Sequence, residues 1–240
     1  MSRPEKTTIV ILPCLDEEES LPKVLGDLPV EAEGLRIVVV DNGSTDRSAE
    51  VAARCGAEVV REVERGYGAA CLRGMQEIGD EEFVVFLDAD YSDDPREIGL
   101  LLAPLRAREA DFVLGSRMLL PEARAALMPQ ARFGNRLASL LLGRWYGLRC
   151  TDLGPFRALT AEALRSLEME DRGFGWTVEM QAKAGWKGLR FVEIPVHYRA
   201  RVGKSKITGT LRGTLGASYK ILSTLFGLRR KLRKRGWPKG

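Results

Sequence analysis

The 240-residue sequence predicts one α/β domain with a mostly parallel, doubly wound sheet and helices on both faces. Short apolar runs alternate with segments of helical spacing, which is the order expected of successive βαβ units. The run at 83–87 is continuously apolar, as in a strand that is buried on both faces of a parallel sheet. Three of the runs are followed directly by acidic or basic residues. A chain of this length has room for a single large core.

Six segments have the composition of strands. The first is a β-branched run that ends at Pro13, and the last contains Pro195, which marks an edge or an end of a strand. The fourth stops where acidic residues begin, because Asp is unfavourable in strands. The predicted strands are 7–12, 35–40, 57–61, 83–87, 110–117 and 189–198.

Helices are predicted between and after these strands. Apolar residues from Leu21 to Leu28 have the spacing of a buried helix face, and the acids just before them suit a first helical turn. Ser44 or Thr45 is expected to cap the next helix. Further helices are expected near 69–74, 98–105, 135–142, 159–167, 177–184 and from 210 onward, and loops at 121–130 (mobile), 151–158 and 201–206.

Composition excludes several classes of protein. The content of 45% hydrophobic and 29% charged residues is ordinary for a soluble globular protein. Four cysteines without Cys-x-x-Cys spacing and a single histidine argue against a structural zinc site and a disulfide framework. The first six residues lack the apolar core of a signal peptide, and no stretch has the ~18 apolar residues of a membrane span. A cytoplasmic location is expected.

Charge is concentrated at the C-terminus. Seven of the cations lie from residue 229 onward with no acid among them, so a net charge of +4 leaves the remaining chain at −3. The apolar, helical segment that precedes this basic tail resembles a helix that lies on a membrane surface. A terminal helix that docks on the core and ends in a frayed basic tail is the alternative.

The pair Asp88 and Asp90 is the strongest functional signal. Ligands of open α/β sheets bind at the carboxyl ends of the strands, and two acids one residue apart can share a Mg²⁺ ion that carries phosphates. A solvated turn is the alternative for such a pair. Asp41 and Arg117 follow two other predicted strands, so acidic and basic side chains are expected to converge on one edge of the sheet.

Gly66 and Gly68 invite comparison with a dinucleotide-binding loop. The next glycine is Gly74, which lies outside the six-residue fingerprint, and the pair follows the third strand rather than the first. A tight turn that allows close packing of helix on sheet is the preferred interpretation.

Several motifs in order resemble those of the family 2 glycosyltransferases of GT-A fold, within them the dolichyl-phosphate-mannose-synthase-like, polyprenyl-phosphate branch. The resemblance covers residues 9 to about 210. Leu15 replaces the usual Tyr of the first motif, Ser92 replaces a Gln that often follows the acid pair, and 152–158 lacks a Thr-Ser pair. The matching segments are Pro13 with Glu17, 40–46, Asp88-Ala89-Asp90, Gly115-Ser116-Arg117, Asp152 with 156–158, and Arg201 with Ser205-Lys206.

The resemblance implies a Rossmann-like GT-A domain over 1–210, with a nucleotide-sugar half at about 1–120 and an acceptor half at about 121–210, followed by an amphipathic helix and basic tail at 211–240. It implies a Mg²⁺ or Mn²⁺ ion held by Asp88, Asp90 and Ser92, and catalytic roles for Asp88, Asp90, Arg117 and Arg201. The implied donor-binding residues are Pro13, Leu15, Glu17, Val40, Asp41, Asp88, Ala89, Asp90, Arg117, Arg201 and Lys206.

The implied reaction transfers a sugar from a nucleotide-diphosphate sugar to a polyprenyl phosphate, with inversion at C1 because one in-line displacement occurs. An ionised phosphate acceptor needs only cations to orient it, for which Arg117, Arg132 and Arg136 are candidates. A hydroxyl acceptor needs a general base.

Asp152, Asp171 or Glu179 could supply that base, and a soluble transferase acting on a lipid headgroup, a glycan or a small phosphorylated acid is the rival hypothesis. A nucleic-acid-binding α/β protein is the outsider, because the body of the chain is acidic; no nucleic-acid partner is expected. The basic tail predicts a peripheral position at the inner face of the cell membrane. Neither the sugar, the nucleotide base nor the oligomeric state follows from the sequence.

Overall fold

A computed structural model describes residues 7–202 and 211–234. The sheet order is β3-β2-β1-β4-β6-β5-β7. This sheet, with helices between its strands, confirms the α/β fold that the alternation of strand and helix patterns predicted. The seven strands are β1 (Thr8–Cys14), β2 (Leu35–Asp41), β3 (Glu58–Arg61), β4 (Phe83–Phe86), β5 (Phe112–Ser116), β6 (Arg157–Thr160) and β7 (Phe191–Pro195).

Most neighbouring strands are parallel. β1 pairs in parallel with β2 and with β4, and β2 with β3, while β7 pairs in parallel with β5. β6 alone is antiparallel to its neighbours in the described sheet, and it lies between β4 and β5. The carboxyl ends of β1, β2 and β4 therefore meet at one edge, where the acidic motifs follow the strands.

Strand β6 differs from the prediction, which had a turn-rich segment at 151–158 and a helix from 159. The segment is only four residues long and offers no local periodicity, so its strand conformation depends on hydrogen bonding to both β4 and β5. Its first residue, Arg157, is in register with Phe86, two residues before Asp88. Because β6 runs antiparallel, its start lies at the same edge as the acid pair.

The helices also differ from the prediction in places. The loop expected at 121–130 forms one helix and the start of another, each with Pro in its first turn, where the missing N–H is not needed. Arg47, not Ser44 or Thr45, is the N-cap of α3. The helices are α1 (Leu21–Asp27), α2 (Val30–Glu33), α3 (Ser48–Arg54), α4 (Tyr67–Met75), α5 (Ile98–Arg106), α6 (Pro121–Ala126), α7 (Pro129–Tyr146), α8 (Ala161–Ser166), α9 (Trp176–Lys187) and α10 (Leu211–Lys234), with a short 3-10 turn at Pro95–Glu97.

Both faces of the sheet are covered. Along β1, Val10 and Leu12 belong to one apolar cluster, while Ile9 and Ile11 belong to the cluster on the other face. Gly74 of α4 lies so close to β1 that an added Cβ would collide with Ile11. This contact confirms close packing of helix on sheet at that glycine.

The C-terminal helix is docked on the domain. Leu225, Leu228 and Leu232 of α10 are buried in a third apolar cluster with residues of α7 and α9. The Tyr146 hydroxyl donates a hydrogen bond to the backbone carbonyl of Leu225. These three leucines of α10 are therefore used in packing, as in the alternative that the sequence left open. Within the described ranges, no helix is long and apolar enough to cross a membrane.

Candidate active site

A pocket of about 410 Å³ opens at the carboxyl ends of β1, β2 and β4. The residues that sequence motifs predicted and that line it are Pro13, Leu15, Glu17, Asp88, Ala89, Asp90 and Arg201. The motifs assign no role to the other residues of the wall, which are Cys14, Asn42, Arg65, Gly66, Tyr67, Ala70, Gly173 and Phe174.

Asp88 and Asp90 follow β4, and both line the pocket. Burial raises the pKa of Asp88 to about 7, and the neighbouring charge of Asp90 adds to the rise. The hydroxyl of Tyr67 donates a hydrogen bond to Asp88 Oδ1 at 3.0 Å and partly offsets the increase. Two carboxylates that are so placed repel each other, and a divalent cation between them would relieve that repulsion.

Arg201 is a cation already in contact with this acidic site. Its Nη2 lies 2.9 Å from Glu17 Oε1 and 3.2 Å from Asp90 Oδ2. The backbone fixes its position, because Val202 N donates to the carbonyl of Asp90 at 3.0 Å and Arg199 N donates to the carbonyl of Ser92 at 2.9 Å. The segment after β7 therefore crosses the end of β4 and brings a distant arginine to the acid pair.

Arg117 follows β5 but does not line the pocket. Its Nε and Nη2 make a bidentate pair with the carboxylate of Asp152, at 2.7 and 2.9 Å. Asn135 Nδ2 and Leu153 N donate to the same carboxylate at 2.5 and 2.8 Å. Burial alone would raise the pKa of Asp152, but the charge and hydrogen bonds of Arg117 outweigh it and lower the pKa. An acid that is fully buried and so strongly held is a poor general base.

Glu179 and Asp171, the other two acids considered as bases, are also held by hydrogen bonds or ion pairs. Glu179 is 2% exposed, accepts hydrogen bonds from Glu170 N and Asp171 N at 3.1 and 2.7 Å, and pairs with Lys183 at 2.8 Å. Asp171 accepts a hydrogen bond from Gly173 N at 2.8 Å. Neither carboxylate lines the pocket. The geometry therefore supports no catalytic base among the three.

The loop after β3 is shaped by Asn42. Its Nδ2 donates to the carbonyls of Glu62 and Glu64 at 3.1 and 2.7 Å, and its Oδ1 accepts from Gly66 N at 2.8 Å. Asp41, one residue earlier, is buried and accepts from Ser44 N at 2.9 Å. Asn42 thus supports the backbone that carries Arg65, Gly66 and Tyr67 to the pocket.

The two glycines of this loop admit another segment. A Cβ at Gly66 would collide with the carbonyl oxygen of Arg172, and one at Gly68 would collide with that of Asp171. The close approach allows hydrogen bonds from Gly68 N to Gly173 O and from Ala69 N to Arg172 O, at 3.2 and 2.9 Å. The glycine pair thus makes room for the segment at 171–173 rather than for the sheet, which differs from the helix–sheet packing that the sequence predicted at these two glycines.

The remaining assigned residues lie elsewhere. Val40, Asp41 and Ser92 do not line the pocket, and the backbone N of buried Ser92 donates to Asp90 Oδ1 at 2.9 Å. Lys206 lies outside the described residues. No cluster of three or more His, Cys, Asp or Glu side chains that could hold a metal occurs in 7–202 and 211–234. A metal bound between Asp88 and Asp90 would therefore take further ligands from donor phosphates and water.

Asp93 was not anticipated. Both oxygens of this buried carboxylate lack a hydrogen-bond partner among the described residues. Burial raises its pKa well above the usual value, although the charge of Arg117 opposes the rise. In the sequence, an acid three residues after Asp90 looks like any polar residue of a turn, so nothing indicated that it would be buried.

Comparison with solved structures supports the fold. Glucosyl-3-phosphoglycerate synthase from Mycobacterium tuberculosis, in complex with uridine diphosphate, superposes with a TM-score of 0.77 at 22% identity, over 93% of this chain and 80% of that chain. At this level of identity the likeness shows the fold alone, a GT-A-like domain.

Sequence relatives cover most of the chain. An uncharacterized glycosyltransferase from Mycobacterium tuberculosis is 42% identical over 89% of this chain and 97% of its own. The undecaprenyl-phosphate mannosyltransferase of Micrococcus luteus is 32% identical over 85% and 89%, respectively. The polyprenol monophosphomannose synthase of Mycolicibacterium smegmatis is 30% identical over 87% and 83%.

The family model of glycosyl transferase family 2 matches residues 9–167, which include all of β1 but its first residue, β2 to β6, and the acid pair at the end of β4. The family suggested by the motifs is thereby confirmed. The chain belongs to glycosyl transferase family 2 and is a glycosyltransferase.

Proposed function

We propose that this glycosyltransferase moves a sugar from a nucleotide-diphosphate sugar to a polyprenyl phosphate at a membrane surface, with a divalent metal and with inversion at C1. The observation that carries the proposal is the composition of the pocket. Asp88 and Asp90 converge there with Arg201, while the acids that could have served as a general base are used elsewhere.

The residues present fit a hard divalent cation, Mg²⁺ or Mn²⁺. Asp88 and Asp90 would supply oxygen ligands, and a cation would offset both the burial and the neighbouring charge of Asp90 that raise the pKa of Asp88. When bound, the ion would neutralise charge that develops on the leaving diphosphate. Arg201, 3.2 Å from Asp90, would add a second cation beside the same group.

Asp152, Asp171 and Glu179, the three acids considered as bases, are held by other groups of the described residues, and this favours an acceptor that is already ionised. A phosphate monoester has a second pKa of ~6, so it attacks at pH 7 without losing a proton to the enzyme. A hydroxyl would need a positioned base. The relatives from Micrococcus luteus and Mycolicibacterium smegmatis are named for transfer to polyprenyl phosphates, which supports polyprenyl phosphate as the acceptor class.

The surface formed by α7 and α10 supports a membrane location. Neither helix contains an acidic residue. Along the outer face of α7, Phe133 and Leu140 are 70% and 68% exposed, and the exposed Arg136 and Arg144 alternate with them. Exposed apolar side chains among cations suit the headgroup region of an anionic bilayer. Since Leu225, Leu228 and Leu232 of α10 are buried against the domain, we assign the apolar membrane contacts to α7 and the cationic contacts to both helices.

A donor and acceptor screen tests the proposal. The purified protein is incubated with UDP- and GDP-sugars, with Mn²⁺, Mg²⁺ or chelator, and with a polyprenyl phosphate, 3-phosphoglycerate or a polyprenol as acceptor. We expect a lipid-linked product only with metal and the phosphorylated lipid. Transfer to 3-phosphoglycerate or to the free alcohol alone, or full activity in chelator, would contradict it.

A pair of variants separates metal binding from general damage. Asp90→Asn should abolish metal-dependent transfer and weaken Mn²⁺ binding at least about tenfold, because one of two carboxylate ligands is lost. Asp94→Asn is the matched control, since Asp94 lies four residues along the same segment and pairs with Arg96 at 2.6 Å outside the pocket. Equal Mn²⁺ affinity of the two variants would refute the metal assignment.

A further inference from the structure

The pocket wall at residues 170–175 lies between the donor pocket and the C-terminal helix. On one side it contributes Gly173 and Phe174 to the lining. On the other side, its acids form ion pairs with α10: Glu170 with Lys231, and Asp171 with Lys220. The same six residues therefore connect the site to a helix that is remote from it in sequence.

The inner side of the wall is attached to α4 by its backbone. Gly68 N and Ala69 N donate to the carbonyls of Gly173 and Arg172, and no Cβ could be accommodated at Gly68. The helix α4 also carries Tyr67, which donates a hydrogen bond to Asp88. A shift of this wall would therefore move Tyr67 and change its hydrogen bond to the acid pair.

The outer side is held through Asp171. Its carboxylate accepts hydrogen bonds from Gly173 N at 2.8 Å and from Thr224 Oγ1 at 3.4 Å, and it pairs with Lys220 Nζ at 3.1 Å. The side chain of Asp171 is only 11% exposed. The approach of α10 is close, because a Cβ at Gly175 would collide with Thr224 Oγ1. One carboxylate therefore shapes the turn before Phe174 and joins it to α10.

We propose that Asp171 is a positioning residue of the donor pocket. With Lys220 and Thr224 it forms a clasp through which α10 holds Gly173 and Phe174 in the wall that faces the nucleotide-sugar. The inference rests on the proposed function only in taking this pocket as the donor site. It makes α10 part of that site in the absence of any membrane, so loss of the helix weakens donor binding as well as any membrane contact.

The test measures binding of Mn²⁺–UDP and Mn²⁺–GDP by calorimetry, without lipid. Lys220→Gln removes one partly exposed ion pair, so we expect the affinity to fall about threefold. Asp171→Ala also removes two hydrogen bonds, and a loss of about tenfold is expected. Lys220→Arg keeps the charge and should restore binding. Arg230→Gln is the control, because Arg230 is an exposed cation of the same helix.

The outcomes are distinguishable. If neither nucleotide binds the wild-type protein, the assignment of the pocket fails. If a nucleotide binds wild type, Lys220→Gln and Asp171→Ala equally well, the clasp is refuted while the pocket assignment stands. Thermal unfolding of each variant separates positioning from collapse: a loss of affinity that follows the loss of stability and is not restored by Lys220→Arg would also overturn the proposal.

A second readout addresses the same point in turnover. With a donor that the wild-type enzyme uses, Lys220→Gln should raise the KM for the donor about threefold and leave the KM for the acceptor unchanged. A purely structural role would change both or neither.

Discussion

Replacement of Asp152 by Asn separates two roles that the sequence could not distinguish, general base and partner of Arg117. The side chain of Asp152 is fully buried, and that of Arg117 is 13% exposed. Removing one member of a buried ion pair leaves the other charge uncompensated and costs about 3–5 kcal/mol. We therefore expect the free energy of unfolding to fall by about that amount and the melting temperature to fall by about 10 °C.

The assay is urea unfolding followed by tryptophan fluorescence, with circular dichroism as a second probe. Asp111→Asn is the matched control, because Asp111 pairs with Arg190 at 2.5 Å but the side chain of Arg190 is 56% exposed. Exposed pairs contribute about 0–1 kcal/mol. The difference between the two variants measures the contribution of burial rather than of charge alone.

The pH dependence has a definite sign. Since the folded-state pKa of Asp152 is lowered, its stabilisation is present above the unfolded value of about 3.9 and is lost as pH falls through the folded value. The destabilisation by Asp152→Asn should thus be undiminished between pH 8 and pH 5. A variant that unfolds within about 1 kcal/mol of wild type, binds donor normally and has lost turnover would refute this reasoning and restore Asp152 as the base.

Three further predictions test packing and charge. Gly74→Ala should destabilise the fold by about 1–3 kcal/mol through its clash with β1, whereas Gly26→Ala, with open space around it, should be neutral or stabilising in thermal unfolding. Leu225→Ala should cost about 2–5 kcal/mol, because this side chain of α10 is fully buried, whereas exposed Phe226→Ala should change little; equal effects would contradict the docking of α10. Since the pKa of Asp88 is about 7, protons compete with metal below that pH, and Mn²⁺ affinity measured by calorimetry should be about tenfold weaker at pH 6 than at pH 8; constant affinity would contradict it.

Local patterns were sufficient for the strands that are buried on both faces. The central parts of the runs that became β1, β2, β4 and β5, at 9–12, 37–40, 83–87 and 112–114, are continuously apolar, because they lie between two layers of helices. The position of Asp88 and Asp90 at the end of β4 followed in turn, because acids terminate such runs. The sequence thus contained the fold class, the family motifs and the centre of the candidate site.

Segments whose structure depends on distant partners were not predictable in this way. β6 is a strand because β4 and β5 each offer it an unpaired edge, and α7 begins earlier than its composition suggested because Pro129 is favourable in a first helical turn. The apolar residues of α10 suited a membrane surface or a protein surface equally well. Only the presence of α7 and α9 beside the helix decided that Leu225, Leu228 and Leu232 are buried.

The sequence by itself determined that this chain is an α/β glycosyltransferase with a pair of acids at the end of its fourth strand. The tertiary structure decided which charges meet those acids. Arg201 reaches Asp90 from 111 positions away in the chain, while Arg117 is held instead by Asp152. The physical reason is that the sequence gives the charge of a side chain but not its partner. The role of the side chain depends on the nearest opposite charge in space. That partner is brought near by segments that are remote in sequence and cross in the fold.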